Sequence, residues 1–243
     1  MTLSLTILLP AFNEERRLPA TLEALDSFLS RQSFGFLEVL VVNDGSRDGT
    51  AALVEAHARK HPVYRLLQNP GNRGKGYSVR HGMLQAKGEW VLFTDADLSA
   101  PIEELPKLLA AALAQDAAVA IGSRALDRSL IGVHLPMFRE YMGRFFNLIM
   151  RLATGLPFAD TQCGFKLYRR DAAREIFTRQ LLDGFSFDVE DLMIAKLLGY
   201  KAVEVPVRWN DVQGTKVSML HGAKSFGDLL RIRWNQVKGC YRR

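Results

Sequence analysis

The stretch Trp90-Val91-Leu92-Phe93-Thr94-Asp95-Ala96-Asp97 decides the fold of this 243-residue chain. Its first five residues form a short apolar run, which is typical of a buried β-strand, and two carboxylates follow at once. Other stretches that read as strands lie along the first half of the chain, at residues 3–10, 37–42, 63–67 and 117–121. The pattern therefore predicts five buried strands before residue 124.

Helical segments are expected between these strands, at about residues 19–30, 49–60, 75–86 and 101–114. Pro19 and Pro101 fit the first turn of a helix, where proline's missing N–H leaves no hydrogen bond unmade. The alternation of helices with continuously apolar strands predicts an α/β fold, a Rossmann-like and mostly parallel sheet with helices on both faces.

Polar side chains follow the predicted strands. In sheets of this kind, ligands bind beyond the carboxyl ends of the strands. The polar clusters at those ends are Asn13-Glu14, Asn43-Asp44, Asp95-Ala96-Asp97 and Ser123-Arg124. The sequence therefore predicts a ligand site built from these clusters.

The net charge of +6 is concentrated at the end of the chain. Residues 201–243 contain nine Lys or Arg against three Asp or Glu, so the rest of the chain sums to zero. A basic segment suits an anionic surface, either lipid headgroups or nucleic acid, although a solvated basic terminus has the same composition. The segment contains no recognised nucleic-acid module, so we expect no nucleic-acid partner.

Two further features bear on localisation. No apolar run approaches the roughly 20 residues that span a bilayer, and the first ten residues lack a basic region of the kind that begins a signal peptide. Cys163 and Cys240 form no CxxC pair, so no zinc cluster is expected, and a reducing compartment is simpler than a disulfide. We expect a cytoplasmic protein.

Two segments of the second half read as amphipathic helices, at residues 136–153 and about 225–239. The first combines an aromatic face with arginines opposite, and the second carries Trp234 among basic residues. Each suits either a membrane interface or packing against the sheet. We expect a catalytic domain over 1–215 and a basic amphipathic extension over 216–243.

Asp95 and Asp97 are the clearest chemical signal. If they end a strand, alternate residues share a face, and two carboxylates on one face can hold a hard divalent cation that also takes diphosphate oxygens. Such a metal acts as a Lewis acid on the leaving group. Without it, two like charges would be crowded with no counter-ion.

Two further loops carry possible ligand groups. Asp44 lies in the turn Asn43-Asp44-Gly45-Ser46, where its carboxylate can accept hydrogen bonds from a ribose or base, or simply form the turn. The loop at 71–76 can bring backbone and a cation close to phosphates at a helix N-terminus, although it lacks the spacing of a P-loop.

Taken together, these motifs resemble a known family. PAFNEE at 10–15, VNDGS at 42–46, NRGKG at 72–76 and DAD at 95–97 occur in this order in the inverting family 2 glycosyltransferases of GT-A fold. The second half is similar to the dolichyl-phosphate β-glucosyltransferase branch, in DTQCGFK at 160–166, FDVE at 187–190 and VPVRW at 205–209 with GTK at 214–216. The chain departs from the related mannosyl branch at Ser99, where a glutamine is usual.

The resemblance implies inverting transfer of a hexose from a nucleotide diphosphate sugar, with UDP-glucose favoured, to a polyprenyl phosphate. It also implies Mg²⁺ or Mn²⁺ as cofactor and a place on the cytoplasmic face of a membrane, on an anionic surface. By position it gives donor-binding roles to Pro10, Ala11, Asn13, Glu14, Asp44, Lys75 and Asp95, and metal-binding roles to Asp95 and Asp97.

The resemblance also implies residues on the acceptor side. Candidates for the acceptor phosphate are Arg124, Arg139 and Lys216, and candidates for catalysis are Asp97, Asp160 and Asp188, with Gln162 and Glu190 lining the sugar and acceptor side. Because a phosphomonoester is largely a dianion at neutral pH, it can attack without a strong general base. Asp160 or Asp188 would then orient groups rather than remove a proton.

Three alternatives remain at this point. The same fold serves transferases that use GDP-mannose or that act on a soluble or glycan acceptor. A sugar-phosphate nucleotidylyltransferase has a similar sheet, but that class usually has a glycine-rich loop after the first strand, where this chain has Pro10-Ala11-Phe12-Asn13. A nucleic-acid-binding protein is the third, because of the basic terminus.

Overall fold

The computed structural model describes residues 2–133, 148–151, 153–212 and 219–242, and for 219–226 it describes the backbone alone. The strands are β1 Ser4–Ala11, β2 Phe36–Asn43, β3 Tyr64–Gln68, β4 Trp90–Thr94, β5 Val119–Ser123, β6 Ile131–Val133, β7 Phe165–Arg169, β8 Ala202–Pro206 and β9 Trp209–Asn210. The α-helices are α1 Leu18–Leu29, α2 Thr50–Lys60, α3 Lys75–Gln85, α4 Leu105–Ala114, α5 Arg170–Arg179, α6 Phe187–Leu197 and α7 Met219–Val237.

Seven strands form the central sheet in the order β3-β2-β1-β4-β7-β5-β8. All neighbours pair in parallel except β7, which runs antiparallel between β4 and β5. The short strands β6 and β9 form a separate parallel pair. The predicted α/β architecture with a mostly parallel sheet is confirmed, and all five predicted strands are present within two residues of their expected ends.

Strand β7 and strand β8 were not predicted as strands. In β7, Phe165 and Leu167 pack into the cluster on one face of the sheet, while Tyr168 packs into the cluster on the other. Lys166 lies between them in sequence and is fully buried. A lysine at a buried strand position conceals the apolar pattern by which strands are recognised.

Both faces of the sheet are covered, as predicted. The pattern of α1 explains how: Leu18, Leu22, Leu25 and Leu29 recur at helical spacing and are all buried. Helices α1 and α4 contribute to the cluster on one face, and α3, α5, α6 and α7 contribute to the cluster on the other. The loops that follow β1, β2, β4 and β5 meet at one edge of the sheet, the edge formed by the carboxyl ends of these strands.

Helix α7 confirms a helix near the predicted 225–239 but begins six residues earlier. Leu229 and Ile232 are buried in the core, whereas Leu230, Trp234 and Val237 are exposed by 74%, 61% and 79%. The apolar residues of this helix therefore form two stripes, one packed on the sheet and one facing solvent. The buried stripe agrees with packing against the sheet, and the membrane-interface interpretation of the exposed stripe stays a prediction.

Several predictions fall on residues outside the described ranges. These are most of the helix at 136–153, the domain boundary at 215/216, Arg139 and Lys216. Among the described residues, no helix is both long and apolar enough to cross a bilayer. Cys163 is buried and Cys240 half-buried, and both are free thiols.

Candidate active site

The loops after β1 and β2 are joined into one unit at the edge of the sheet. Asn13 N donates to Ser46 Oγ at 2.9 Å, and the Asn13 side-chain oxygen accepts from Arg47 N at 2.8 Å. Glu14 N donates to Thr50 Oγ1 at 2.8 Å. Asn13 has a φ of 53°, in the left-handed region that asparagine tolerates better than most residues. The predicted donor-binding residues Asn13 and Glu14 therefore lie on a braced double loop that follows β1, whose last two residues are Pro10 and Ala11.

Arg17 joins this loop to the Asp95–Asp97 turn and was missed by the sequence analysis. Its Nε and Nη2 donate to the two carboxylate oxygens of Glu14 at 2.7 and 2.6 Å. Its Nη1 lies 3.7 Å from Asp97 Oδ2 and, in the described part of the chain, has no hydrogen-bond partner although it is shut off from solvent. The hydrogen bond to Glu14 raises the pKa of Arg17 despite partial burial. The only available signal was the spacing of Glu14 and Arg17 across one helical turn.

Asp44 is buried after β2 and holds the following loop in place. Its Oδ1 accepts from Asn69 Nδ2 at 2.8 Å and from Arg73 N at 2.9 Å, and its Oδ2 accepts from Gly74 N at 2.8 Å. A carboxylate offers about four acceptor sites, so these three bonds leave little for a ligand. The geometry assigns Asp44 first to the loop at 69–74, and its predicted contact with the nucleoside stays a prediction.

Lys75 begins α3 and is paired with Asp95. Its Nζ lies 2.6 Å from Asp95 Oδ1 and 5.3 Å from the centre of the Phe93 ring. Burial alone would lower the pKa of Lys75, but the charges of Asp95 and Asp188 outweigh it and the pKa is raised. Burial raises the pKa of Asp95, and Asp97 adds to this while Lys75 opposes it. The predicted phosphate-binding lysine is thus in direct contact with the predicted metal ligand.

The structure corrects the geometry expected for Asp95 and Asp97. Strand β4 ends at Thr94, and Leu98 N donates to Asp95 O at 3.1 Å, so both carboxylates lie in a turn rather than on one strand face. Leu98 has a φ of 47°, a strained conformation for leucine. Asp97 Oδ1 accepts from Ser99 N at 3.1 Å and from Ser99 Oγ at 2.9 Å. Ser99, which departs from the mannosyl pattern, therefore orients Asp97.

The expectation that these carboxylates lack a counter-ion without a metal is wrong. Lys75 lies 2.6 Å from Asp95, and Arg17 lies 3.7 Å from Asp97. The sequence could not show this, because Lys75 and Arg17 come from the starts of two different helices. The protein itself supplies the compensating charges.

Gly164 explains why the DTQCGFK motif accompanies the DAD motif. The Asp95 N donates to Gly164 O at 3.1 Å, and a Cβ at position 164 would overlap the Asp95 Oδ2 atom. Only glycine allows the backbone before β7 to approach the carboxylate this closely. The motif thus shapes the space around a predicted metal ligand.

Arg124 and Asp160 form a bidentate ion pair beyond β5. Arg124 Nε donates to Asp160 Oδ2 at 2.6 Å and Nη2 to Oδ1 at 2.9 Å, and the backbone N–H groups of Arg124 and Gln162 complete four bonds to this carboxylate. Burial would raise the pKa of Asp160, but the Arg124 charge lowers it overall. Asp160 is therefore a saturated carboxylate that orients Arg124 and is a poor proton acceptor.

Asp188 lies in the first turn of α6 and is paired with a lysine from β7. Lys166 Nζ is 2.6 Å from Asp188 Oδ1 and 3.3 Å from Asp191 Oδ2, and all three side chains are buried. The charge of Asp188 acts on both Lys75 and Asp95. Asp188 is therefore close enough to Lys75 and Asp95 for its charge to act on both, its catalytic role stays a prediction, and Lys166 is a buried partner that the sequence did not indicate.

Glu190 lies elsewhere than the resemblance implied. Its two oxygens accept from Leu181 N at 3.1 Å and Leu182 N at 2.8 Å, and Tyr241 Oη donates to it at 2.8 Å. Burial raises its pKa. The contacts make Glu190 a support for the loop before α6 and for the C-terminal turn, rather than a lining of the sugar site. Both residues lie in the first turn of α6, but positions two residues apart differ by about 200° around a helix axis, so Asp188 and Glu190 point in nearly opposite directions.

The assembled cluster suits a divalent cation together with an anionic ligand. Asp95 and Asp97 offer only oxygen atoms, which are the ligands that hard cations prefer. Lys75 and Arg17 stand beside them as the kind of positive groups that a diphosphate attracts. These carboxylate oxygens therefore fit the predicted Mg²⁺ or Mn²⁺, since neither ion needs a nitrogen or sulfur ligand.

Comparison with known proteins identifies the family of this chain. The family model described as glycosyl transferase family 2 matches residues 6–177. The dolichyl-phosphate β-glucosyltransferases of Drosophila melanogaster, Homo sapiens and Saccharomyces cerevisiae are 38%, 32% and 31% identical to this chain. These alignments cover 99%, 99% and 98% of this chain and 78%, 78% and 76% of the relatives.

Solved structures share the fold at lower identity. Glucosyl-3-phosphoglycerate synthase from Mycobacterium tuberculosis, in complex with Mn²⁺, UDP-glucose and phosphoglyceric acid, superposes with a TM-score of 0.66 at 17% identity, over 95% of this chain and 80% of that one. A mannosyltransferase from Pyrobaculum calidifontis, in complex with GDP-mannose and Mn²⁺, gives 0.60 at 20% identity, over 98% and 64%. From the family match, the relatives and the fold, this chain belongs to glycosyl transferase family 2 and is a glycosyltransferase of GT-A fold.

Proposed function

We propose that this protein transfers glucose from UDP-glucose to a polyprenyl phosphate of the dolichyl type, with inversion at the anomeric carbon and with the help of a divalent metal. The observation that carries the proposal is the cluster of Asp95, Asp97, Lys75 and Arg17 at one sheet edge, in a chain whose relatives are named dolichyl-phosphate β-glucosyltransferases. The proposal needs both the cluster and the relatives. The cluster supports a nucleotide-sugar site, and the names of the relatives suggest the sugar and the acceptor.

On the donor side, Asp95 and Asp97 would hold Mg²⁺ or Mn²⁺, and Lys75 and Arg17 would neutralise the diphosphate. A metal bound there supplies Lewis-acid stabilisation of the leaving diphosphate. The braced loop of Asn13 and Glu14 would border the nucleoside. Because Lys75 already contacts Asp95, donor binding has to redistribute its contact between that carboxylate and the phosphates.

On the acceptor side, Arg124 is the candidate for the phosphate. Its guanidinium is oriented by Asp160 and stacks 5.5 Å from the centre of the Trp209 ring, while 30% of its side chain remains exposed. An acceptor phosphate is already largely a dianion at neutral pH, so no side chain has to take its proton. In-line attack opposite the diphosphate converts an α-linked donor into a β-linked product.

An anionic membrane surface is the proposed place of action. On α7, Leu230, Trp234 and Val237 form the exposed apolar stripe, and Arg231, Arg233 and Lys238 flank it. Lys238 Nζ lies 4.6 Å from the centre of the Trp234 ring. Each basic residue near an anionic surface contributes on the order of 1 kcal/mol to membrane binding. A polyprenyl chain cannot leave the bilayer cheaply, since each exposed CH₂ costs about 0.8 kcal/mol, so the enzyme has to approach the lipid.

The donor and acceptor are tested together. Purified protein with Mn²⁺ should form glucosyl polyprenyl phosphate from UDP-glucose, and calorimetry should find tighter binding of UDP than of GDP. GDP-mannose use with tighter GDP binding would move the assignment to the mannosyl alternative. Turnover with phosphoglycerate or a glycan, and none with polyprenyl phosphate, would instead support a soluble acceptor.

The membrane surface is tested by co-sedimentation with vesicles of anionic phospholipid. Binding should fall in high salt and in the Trp234→Ala, Arg231→Glu variant. A matched control is Leu113→Ala, Arg174→Glu, which removes one exposed apolar and one exposed basic residue from other helices. If the wild type stays in the supernatant at low salt, or the control loses as much binding, α7 is not the membrane surface.

A further inference from the structure

A second group of possible metal ligands lies at the edge of the sheet opposite the active site. Asp26 is in the last turn of α1, His57 is in the last turn of α2, and His61 follows that helix. Because both helices run back along the sheet from the carboxyl ends of β1 and β2, their last turns lie near the strands' amino ends. None of these residues takes part in the nucleotide-sugar site.

The ligand atoms of the three side chains lie close together. His57 Nε2 lies 3.1 Å from Asp26 Oδ2, and His61 Nε2 lies 3.8 Å from the same oxygen. One ligand atom from each residue lies within 4.8 Å of the others. A tetrahedral zinc ion with ligand bonds of about 2.0–2.1 Å has ligand atoms roughly 3.3 Å apart, so the two measured distances bracket the value needed.

Contacts around the three side chains set their orientation in this structure. The imidazole rings of His57 and His61 are stacked, with centres 4.3 Å apart and planes 9° from parallel, so the more exposed ring of His61 has to turn before both rings point a nitrogen at one ion. Tyr64 Oη donates to Asp26 Oδ1 at 2.7 Å, which turns the other carboxylate oxygen toward the two rings. Such an outer hydrogen bond to a ligating carboxylate is a usual companion of metal sites.

One atom of the group is left without a partner. His57 Nε2 is shut off from solvent and makes no hydrogen bond within the described part of the chain, although Asp26 Oδ2 is only 3.1 Å away. The His57 nitrogen and the Asp26 oxygen are therefore not aligned for a simple hydrogen bond, and a buried nitrogen without a partner lowers the stability of the fold. A cation between the nitrogen and the oxygen would satisfy both.

We propose that Asp26, His57 and His61 bind one Zn²⁺-class ion, with water as the fourth ligand. Two imidazole nitrogens and one carboxylate suit zinc and its neighbours in the first transition row rather than Mg²⁺. The His61 side chain is 42% exposed, which leaves access for the ion and for water. The ion joins α1 to α2 and is structural, so this site is independent of the proposed transfer reaction.

Thermal unfolding of the full chain tests the site. Protein freed of metal with a chelator should bind about one equivalent of Zn²⁺, and saturating Zn²⁺ should raise Tm by about 5 °C. His61→Ala should remove most of this rise, and Asp26→Asn, which keeps an acceptor for Tyr64, should do the same. Because each variant is compared with and without Zn²⁺, a change in its basal stability does not affect the measured rise in Tm.

Asp95→Asn with Asp97→Asn is the matched control, since it changes the other candidate metal site and should retain the Zn²⁺ response. Co²⁺ gives a second measure, because a tetrahedral site produces visible absorption bands that His61→Ala should abolish. An unchanged Tm in the wild type, or an equal rise in His61→Ala, would overturn the proposal. Loss of the response in the Asp95, Asp97 control alone would also overturn it.

Discussion

The turn at Asp95–Asp97 and the Arg124–Asp160 pair lie at the same edge of the sheet, yet their carboxylates are held in different ways. Asp160 accepts four hydrogen bonds and pairs with Arg124 through two of them. Asp97 accepts from Ser99 alone through Oδ1, among the bonds described, and its Oδ2 has only the Arg17 charge at 3.7 Å. A saturated carboxylate shapes the protein, whereas an open one can take a ligand.

This difference predicts that changes at the turn and changes at the pair have different effects, one on turnover and the other on stability. Changes at the turn should reduce turnover and leave the fold intact, because few internal bonds depend on these carboxylates. Changes at the pair should destabilise the fold, because they leave a charged group without its partner. The predictions that follow separate the two by measuring turnover and unfolding on the same variants.

Asp97→Ala has the largest expected effect. Loss of a metal ligand should lower turnover by at least about 10³-fold, because stabilisation of the leaving diphosphate is lost. Tm should stay within about 2 °C of the wild type, since Asp97 contributes only a weak ion pair and two local hydrogen bonds from Ser99. Glu23→Ala, at an exposed carboxylate of α1, is the control. Full wild-type activity in EDTA would contradict the metal role.

Gly164→Ala tests the close approach to the turn. The added methyl group overlaps Asp95 Oδ2, so the carboxylate has to move, and turnover should fall by about 10²-fold. Gly184→Ala is a matched control, because a Cβ at that position meets nothing within 4 Å. Equal turnover in the two variants would show that the position of Asp95 is not critical.

Asp160→Ala should act mainly on stability. Arg124 loses its bidentate partner, and the free energy of unfolding should fall by about 3 kcal/mol. Asp160→Asn should lose less, because an amide oxygen still accepts hydrogen bonds. Urea unfolding of both variants measures this. If Asp160→Ala keeps wild-type stability and loses turnover as Asp97→Ala does, the comparison between the two regions fails.

The smallest expected effect is a pH dependence. Although burial raises the pKa of Asp160, the Arg124 charge brings it below the usual 3.8. A depressed pKa contributes stability above the unfolded value, and this stability is lost as pH falls through the folded value. The gap in unfolding free energy between wild type and Asp160→Asn should therefore be constant from about pH 7 to pH 5 and shrink below about pH 4. A gap that closes between pH 7 and 5 would show that another group is responsible.

The sequence predicted the sheet better than the site. Buried strands and the turns after them are local patterns, so their ends were placed within two residues. Strand β7 was missed because Lys166 interrupts its apolar character, and Lys166 is buried only because Asp188 and Asp191 neutralise it. The lysine and its partners are 22 and 25 residues apart, beyond the reach of any local pattern.

The sequence by itself determined the fold class and showed that polar clusters, Asp95 and Asp97 among them, follow the carboxyl ends of the strands, because strand periodicity and motif order depend on neighbours along the chain. Only the tertiary structure decided which carboxylates are open. Asp160 is saturated by Arg124, 36 residues away, and Asp95 and Asp97 are balanced by Lys75 and Arg17 from the starts of two helices. It also divided the apolar residues of α7 into a buried and an exposed stripe. Hydrogen bonds and burial depend on which groups are close in space, and the spacing of those groups along the sequence does not show this.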